Sequence, residues 1–168
     1  MEELKNKVAA SGLITIDLEK FYPSSEPISF DLKDFLFMEM LLKEKDFREG
    51  LEKHDWSQYA GKSVAVFCST DAIIPLWAYM LVASKLSPIA KLVHAGDAAS
   101  CFREEFIHNI RKGIEASVFE EKRVVIKGCG EKQIPDYAYV EASTILLPVV
   151  KSLMYGEPCS TVPVFKKK

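Results

Sequence analysis

The sequence predicts a single α/β domain spanning residues 1–168, with a mostly parallel sheet flanked by helices on both faces. Three observations carry this expectation. Short β-branched runs, Ser63–Phe67, Ile89–Ala95 and Arg123–Lys127, alternate with helix-like segments of about 10 to 15 residues, as strands and crossover helices do. The chain's 168 residues are enough to bury one core without disulfides or a structural metal. With 48% apolar and 27% charged residues, the composition is that of an ordinary folded domain rather than a disordered or fibrous chain.

Residues 1–11 and 164–168 are expected to fray, the first ten as a loose helix. Gly12–Leu18 alternates as a strand, and Tyr22–Pro27 is a loop. Between Phe30 and His54 the pattern is mixed. Asp31 is a helix-capping residue type, yet Phe35–Leu42 is nearly all apolar and fits a buried strand, so two assignments stand open there. Asp46–His54 reads as a short helix, and Gly61 turns the chain into the strand that ends at Cys68. Asp71 is suited to start the next helix, with Pro75 tolerated in its first turn and an end near Leu86. That helix is apolar all round over Leu76–Ala83, which implies cover on two sides and suggests a homodimer contact around Trp77. After the strand ending at Ala95, Gly96 and Asp97 open an amphipathic helix through Lys112. Ile114–Phe119 fits a short edge strand, and Asp136 caps a last helix toward Tyr155 that Pro148 should kink or divide. No internal repeat is evident beyond two strand-to-cysteine turns.

Charge and composition exclude several classes. With 22 Lys and Arg against 24 Asp and Glu, the formal charge is −2, which gives no basic field for nucleic acid. No apolar run reaches membrane-spanning length and the first residues lack a secretory apolar core, so a cytoplasmic protein is expected. Gly-x-Ser-x-Gly serine elbows are missing, as are Gly-rich phosphate loops of the Walker or dinucleotide type, which removes the main supports for kinase, NTPase and classical dehydrogenase readings.

The cysteines are the chemically informative residues. In a reducing compartment, four of them are free thiols, catalytic groups or metal ligands rather than disulfide partners. Cys68 and Cys129 both follow β-branched runs, where the ends of parallel strands gather ligands and the next helix aims its N–H groups. Cys68, set before a helix N-terminus, is the candidate nucleophile, with His94 at the same rim as its activating partner. Cys129 lies between Gly128 and Gly130, which permit close backbone approach to a ligand; these two glycines and Asp71 are the candidate cofactor-binding residues. Cys159, behind Pro158, folds back in this reading to complete a soft site of Cys68, Cys129 and Cys159 for zinc, Cu(I) or an iron–sulfur cluster, with Asp71 as a fourth ligand. Each residue also has a plain packing role open to it. Cys101, in an amphipathic helix beside Phe102, is read as packing.

Four stretches also carry a family resemblance: Asp46-Phe-Arg with Asp55-Trp56, Cys68-Ser-Thr-Asp-Ala-Ile-Ile-Pro75, Val125-Ile-Lys-Gly-Cys129, and Pro148 through Cys159-Ser. Together they resemble the uncharacterised bacterial family DUF2480 over residues 12–165. The resemblance implies a bacterial cytoplasmic protein with no assigned activity, and partners among iron–sulfur assembly proteins. Three functions follow as expectations: a cysteine-based metal or iron–sulfur and sulfur-trafficking protein, a thiol enzyme using Cys68, or a non-catalytic dimeric interaction protein.

Overall fold

The computed structural model describes residues 12–128, 130–157 and 159–168; Cys129, Pro158 and the expected N-terminal helix lie outside the described residues. The α/β class holds, with four parallel strand pairs and one antiparallel pair. The strands divide between two sheets, where the sequence suggested one. Correspondingly, the chain forms two compact units, a framing unit of Met1–Tyr22 with Phe106–Lys168 and an inserted unit of Pro23–Glu105.

In the inserted unit, β2 (Ile28–Asp31), β3 (Ser63–Phe67) and β4 (Leu92–Ala95) form an all-parallel sheet in that order. Helix α1 (Glu44–Lys53) contributes Phe47 and Leu51, and α2 (Leu76–Leu86) contributes Ala78, Val82 and Leu86, all fully buried. The four-residue spacing puts the α2 residues on one face, and burying each Val or Leu side chain contributes roughly 1.5 to 3 kcal/mol. Phe30 stacks between Phe35 at 5.2 Å and Trp56 at 5.5 Å, so aromatic rings fill much of this core.

The open segment resolves as neither a helix nor a buried strand. Asp31 accepts a hydrogen bond from the Lys33 N–H and holds a 3-10 turn over Leu32–Phe35. The chain then reverses tightly, Phe37 bridging Leu41 with Met38 and Glu39 at positive φ, and exposes Met38 and Met40. Within the single chain, helix α2 is covered on one side. Trp77 packs against Phe47 and beneath the Arg48 guanidinium, while Leu76 and Met80 are exposed. Helix α3 (Ala98–Gly113) begins in this unit, and its residues from Phe106 onward belong to the framing unit.

The framing unit's sheet runs β1 (Leu13–Ile16), β5 (Arg123–Ile126), β6 (Ser152–Glu157), β7 (Ser160–Lys166), with only β7 antiparallel. Helix α4 (Asp136–Leu146) buries Ala138, Ala142 and Leu146. The helix expected toward Tyr155 ends at Leu146, two residues before Pro148, and residues 152–157 are strand. Proline has no N–H to continue the ladder and clashes with the preceding turn. Residues 116–119 form a 3-10 turn rather than an edge strand. Val164–Lys166, expected to fray, close strand β7, where Pro163 sits beside a register irregularity. Edge strands tolerate proline because one side of the backbone needs no partner.

The two units repeat one plan. Each contains a strand, a 3-10 turn begun by Asp-Leu, a helix, a second 3-10 turn, a strand, a helix and a third parallel strand. Val64, Ile74, Pro75, Ala78, Tyr79, Leu86, Pro88, Lys91 and Gly96 each recur as the same residue type 60 positions later, through Val124 to Gly156. Backbone bonds recur with them: Gly61 N–H to Ile89 O at 2.8 Å matches Glu121 N–H to Val149 O at 2.9 Å, both donors at positive φ. Gly96 and Gly156 share positive φ, and a Cβ on Gly156 would meet the Ser160 carbonyl oxygen at 2.5 Å. The hairpin strand β7 is the framing unit's addition.

Candidate ligand-binding site

The most elaborated cavity lies in the framing unit, past the carboxyl ends of β1, β5 and β6. It encloses about 270 Å³ and is lined by Asp17, Glu19, Lys127, Lys132, Tyr139 and Tyr155, with Gly128 and Gly130. Parallel strands end there together, which is why side chains from distant segments meet.

Each wall has a local cause. Asp17 begins the 3-10 turn after β1, one oxygen accepting from the Glu19 N–H at 3.0 Å and the other meeting Lys127 Nζ at 3.2 Å. The Lys127 N–H donates to the Ile16 carbonyl at 2.8 Å, which fixes that pairing. The hydrogen bond to Asp17, then its charge, outweigh burial and hold the Lys127 pKa above its ordinary value, so this ammonium is a fixed positive charge. Glu19 Oε1 accepts from the Lys132 N–H at 2.8 Å and anchors the loop from Gly130 to Ile134. A Cβ on Gly130 would strike that carboxylate, so any side chain there would displace the Glu19 head from its present position. Tyr155 donates to the Gly128 carbonyl at 3.1 Å, and its ring meets Tyr139 edge to face at 5.6 Å. The Lys132 ammonium lies 4.4 Å from the centre of the Tyr22 ring.

The residues expected from sequence are distributed between the units. Gly128 and Gly130 line the cavity, whereas Cys129 between them is not described. Cys159 is exposed in the tight turn joining β6 to β7, where Glu157 pairs with Ser160. Cys68 and His94 belong to the inserted unit. The expected helix start beside Cys68 is corrected: Asp71 stands in an exposed loop and α2 begins only at Leu76, with extended Pro75 at its cap position. Cys68 Sγ lies 3.3 Å from Thr70 Oγ1, and the Ser69 N–H donates to Asp31 rather than toward a ligand. His94 pairs in register with Ala65 on β3, and its ring crowds Gly96. Cys101 is buried on α3, and burial, then Glu105 and Glu104, push its thiol to about 11. Among the described residues, no group of three or more His, Cys, Asp or Glu side chains could hold a metal ion.

The sequence model described as "Protein of unknown function (DUF2480)" matches residues 2–167. The chain belongs to the DUF2480 family. No curated protein and no solved structure matches this DUF2480 chain. Among its described residues no helix is long and apolar enough to cross a membrane.

The family assigns no roles, but the DUF2480 chain carries its own internal comparison. Across the 60-residue offset, Tyr139 answers Tyr79 and Ile134 answers Ile74; outside that offset, Asp17 and Asp31 each start the 3-10 turn after the first strand of their unit. These shared residues belong to the common skeleton. Lys127, Lys132, Gln133 and Tyr155 answer Phe67, Ala72, Ile73 and Ala95, so the cavity's cations and its outer tyrosine are peculiar to the framing unit. The same offset aligns Cys68 with Gly128, and Cys129 with Ser69, so the two cysteine turns are not equivalent positions.

Proposed function

We propose that this protein binds a small organic anion, a carboxylate or phosphate of metabolite size, in the framing unit's cavity. One observation carries the reading: two ammonium groups reach the cavity with donors to spare, while its carboxylates anchor the first turn and the following loop. Asp17 serves its turn and Lys127, and Glu19 serves the Lys132 N–H. Lys127 keeps two of its three protons for a ligand, and Lys132 meets an aromatic face rather than a carboxylate. Neither charge has a counterpart in the inserted unit, where Phe67 and Ala72 stand. A volume near 270 Å³ suits a ligand smaller than a nucleotide.

The test is calorimetric titration of the whole chain with small carboxylates, phosphates and their neutral amides or alcohols. Loss of one charge-assisted hydrogen bond of about 1.5 to 3 kcal/mol should weaken anion binding roughly 10- to 100-fold in Lys132→Met. Lys127→Met should do likewise, although it also frees Asp17. Equal binding of the neutral analogues, or unchanged affinity in Lys132→Met, overturns the reading.

A thiol role at Cys129 is a second reading, favoured because both of its chain neighbours, Gly128 and Gly130, line the cavity. It covers Cys129 as a nucleophile or as a sulfur or metal carrier. A bound anion should then slow alkylation of Cys129 several-fold while Cys129→Ser still binds it. An alkylation rate indifferent to ligand counts against this role.

A further inference from the structure

At the outer edge of β4 the inserted unit stops short of the framing unit's plan. Among the described residues no strand pairs beyond β1 or beyond β2, so those open edges belong to both copies. At the other end, the antiparallel strand β7 covers β6, whereas β4, its match at the 60-residue offset, ends its sheet uncovered. The ladder fixes which backbone groups are left over. The Gly96 N–H donates to the Val66 carbonyl at 3.0 Å, and residues alternate along a strand, so Leu92 and His94 also face β3 while Val93 and Ala95 turn their N–H and C=O groups outward. On β6 the same outward positions are Leu153 and Tyr155, which β7 meets with Phe165 and Val162. Edge strands commonly carry a guard against further pairing, as Pro163 and Lys166 do on β7 and Asp31 does on β2. Strand β4 is Leu92-Val-His-Ala95, without proline, carboxylate, lysine or arginine. Beside it, the chain joining β3 to β4 exposes Ile73 and, on α2, Leu76 and Met80. The framing unit has Gln133, Asp136 and Val140 at those positions, so the shared plan does not require the first two to be apolar.

We infer that β4 is a dimerisation edge, covered by β4 of a second copy in antiparallel pairing about a twofold axis at His94. An edge laid antiparallel on itself satisfies twofold symmetry, and antiparallel is the orientation that β7 takes on β6. This register sets Val93 against Ala95 of the second copy and uses every outward group of both residues, which makes four backbone hydrogen bonds. A shift of two residues brings in Lys91, whose N–H serves the Lys62 carbonyl, or Asp97, whose carbonyl accepts from the Cys101 N–H. The helices then come together as well. With strands about 4.8 Å apart, the midlines between β3 and β4 of the two copies lie about 10 Å apart, the separation of packed helices. Helix α2 packs on β4, and its Trp77 is engaged by Phe47 of α1, so the contact falls beside Trp77 and covers Leu76 and Met80. The product is one six-stranded sheet.

Sedimentation equilibrium of the whole chain is the first test, with a dimer expected at tens of micromolar. Ala95→Pro removes an outward donor but no bond to β3, and Met80→Glu places a carboxylate where apolar surface is covered. Each should raise the dimer dissociation constant at least about tenfold. Val140→Glu, the matching change on α4, should leave it unaltered. Met80 is exposed, so that variant should fold, and circular dichroism checks all of them. In a Cys159→Ser background, His94→Cys should cross-link to itself under diamide, because residues facing one another in a non-hydrogen-bonded antiparallel pair lie about 4.5 Å apart at Cα. A wild-type chain that stays monomeric at about 100 μM overturns the inference and leaves the edge to a strand of another protein. A dimer that keeps its affinity in both Ala95→Pro and Met80→Glu, or that fails to cross-link through residue 94, overturns it as well.

Discussion

Tyr155 and Gly128 should behave as one unit, and substituting both should cost less than the sum of substituting each. The Gly128 backbone lies outside the left-handed region, so alanine there meets only a steric obstacle. Its Cβ would lie 2.7 Å from Tyr155 Cζ and 2.9 Å from the hydroxyl oxygen. Carbon atoms in contact settle near 3.5 to 4.0 Å, so the ring must withdraw by about 1 Å. That movement breaks the 3.1 Å hydrogen bond to the Gly128 carbonyl. Because Tyr155 is 42% exposed, the ring can swing outward instead of compressing the core. Gly128→Ala should therefore cost about 1 to 2 kcal/mol, within the lower range for overpacking plus one lost hydrogen bond. Tyr155→Ala should cost a similar amount, about 1 to 2 kcal/mol, for a half-buried ring. At the matching positions the inserted unit carries Cys68 with Ala95, a side chain where Gly128 has none and a small residue where Tyr155 is large. The double variant should thus recover about 1 kcal/mol of the summed loss. Urea unfolding of all four proteins, at constant denaturant slope, measures the coupling. Additivity within about 0.3 kcal/mol would refute the steric argument.

Two further outcomes follow from groups away from the cavity. Folded protein treated with iodoacetamide at pH 8 should alkylate Cys159 much faster than Cys101, since Cys159 is exposed while burial and two glutamates raise the Cys101 thiol to about 11; equal rates by mass spectrometry would contradict that assignment. Asp31 is the pH-sensitive cap. Burial works to raise its pKa but is outweighed by hydrogen bonds from the Ser69 side chain and the Lys33 and Ser69 N–H groups, with the Lys33 charge, leaving it below its ordinary 3.8. A depressed carboxyl contributes stability that is full above its unfolded pKa and lost as pH falls through the folded one. Asp31→Asn should therefore cost about 1 kcal/mol at pH 7, as a weakened cap does, with the difference shrinking as pH falls below the ordinary carboxyl range and through the depressed folded value. A pH-independent difference in unfolding midpoints would argue against the carboxylate's role.

Strands β3 and β5 were legible because each is a short run of buried β-branched and small residues, and α3 because its apolar residues keep helical spacing. Phe35–Leu42 was ambiguous for a physical reason: apolar content without a period fits several structures, and here the chain turns, keeps Phe35 and Leu42 against the core and leaves Phe37, Met38, Met40 and Leu41 exposed. Strand β7 was hidden by Pro158 and Pro163, which read as loop until an edge position makes one of them harmless. In the cavity, Gly128 and Gly130 announced themselves by their spacing, and Tyr139 only as one of several aromatic residues. Asp17 and Lys127 stand 110 residues apart, and Glu19 and Lys132 stand 113 apart, so no local pattern links them. The recurrence at 60 residues was in the sequence throughout, but its identities are scattered over helix, loop and strand. Aligning the second copy on the strands makes it plain, whereas aligning on the cysteines, one position out of step, conceals it.

The nested order of the two units also sets a timetable. Strands β2, β3 and β4 are contiguous in the chain, so the inserted unit has its whole sheet once residue 95 has emerged from the ribosome. Strand β1 leaves the ribosome before all of them, yet its partner begins at Arg123, opposite Leu13. For that interval β1 is an unpaired strand without its neighbour, and closing so long a loop slows its docking. Nascent chains halted when residue 95 but not yet residue 123 has emerged from the ribosome should hold a finished inserted sheet and an exposed β1, the stage at which a chaperone or a neighbouring chain would most readily capture it.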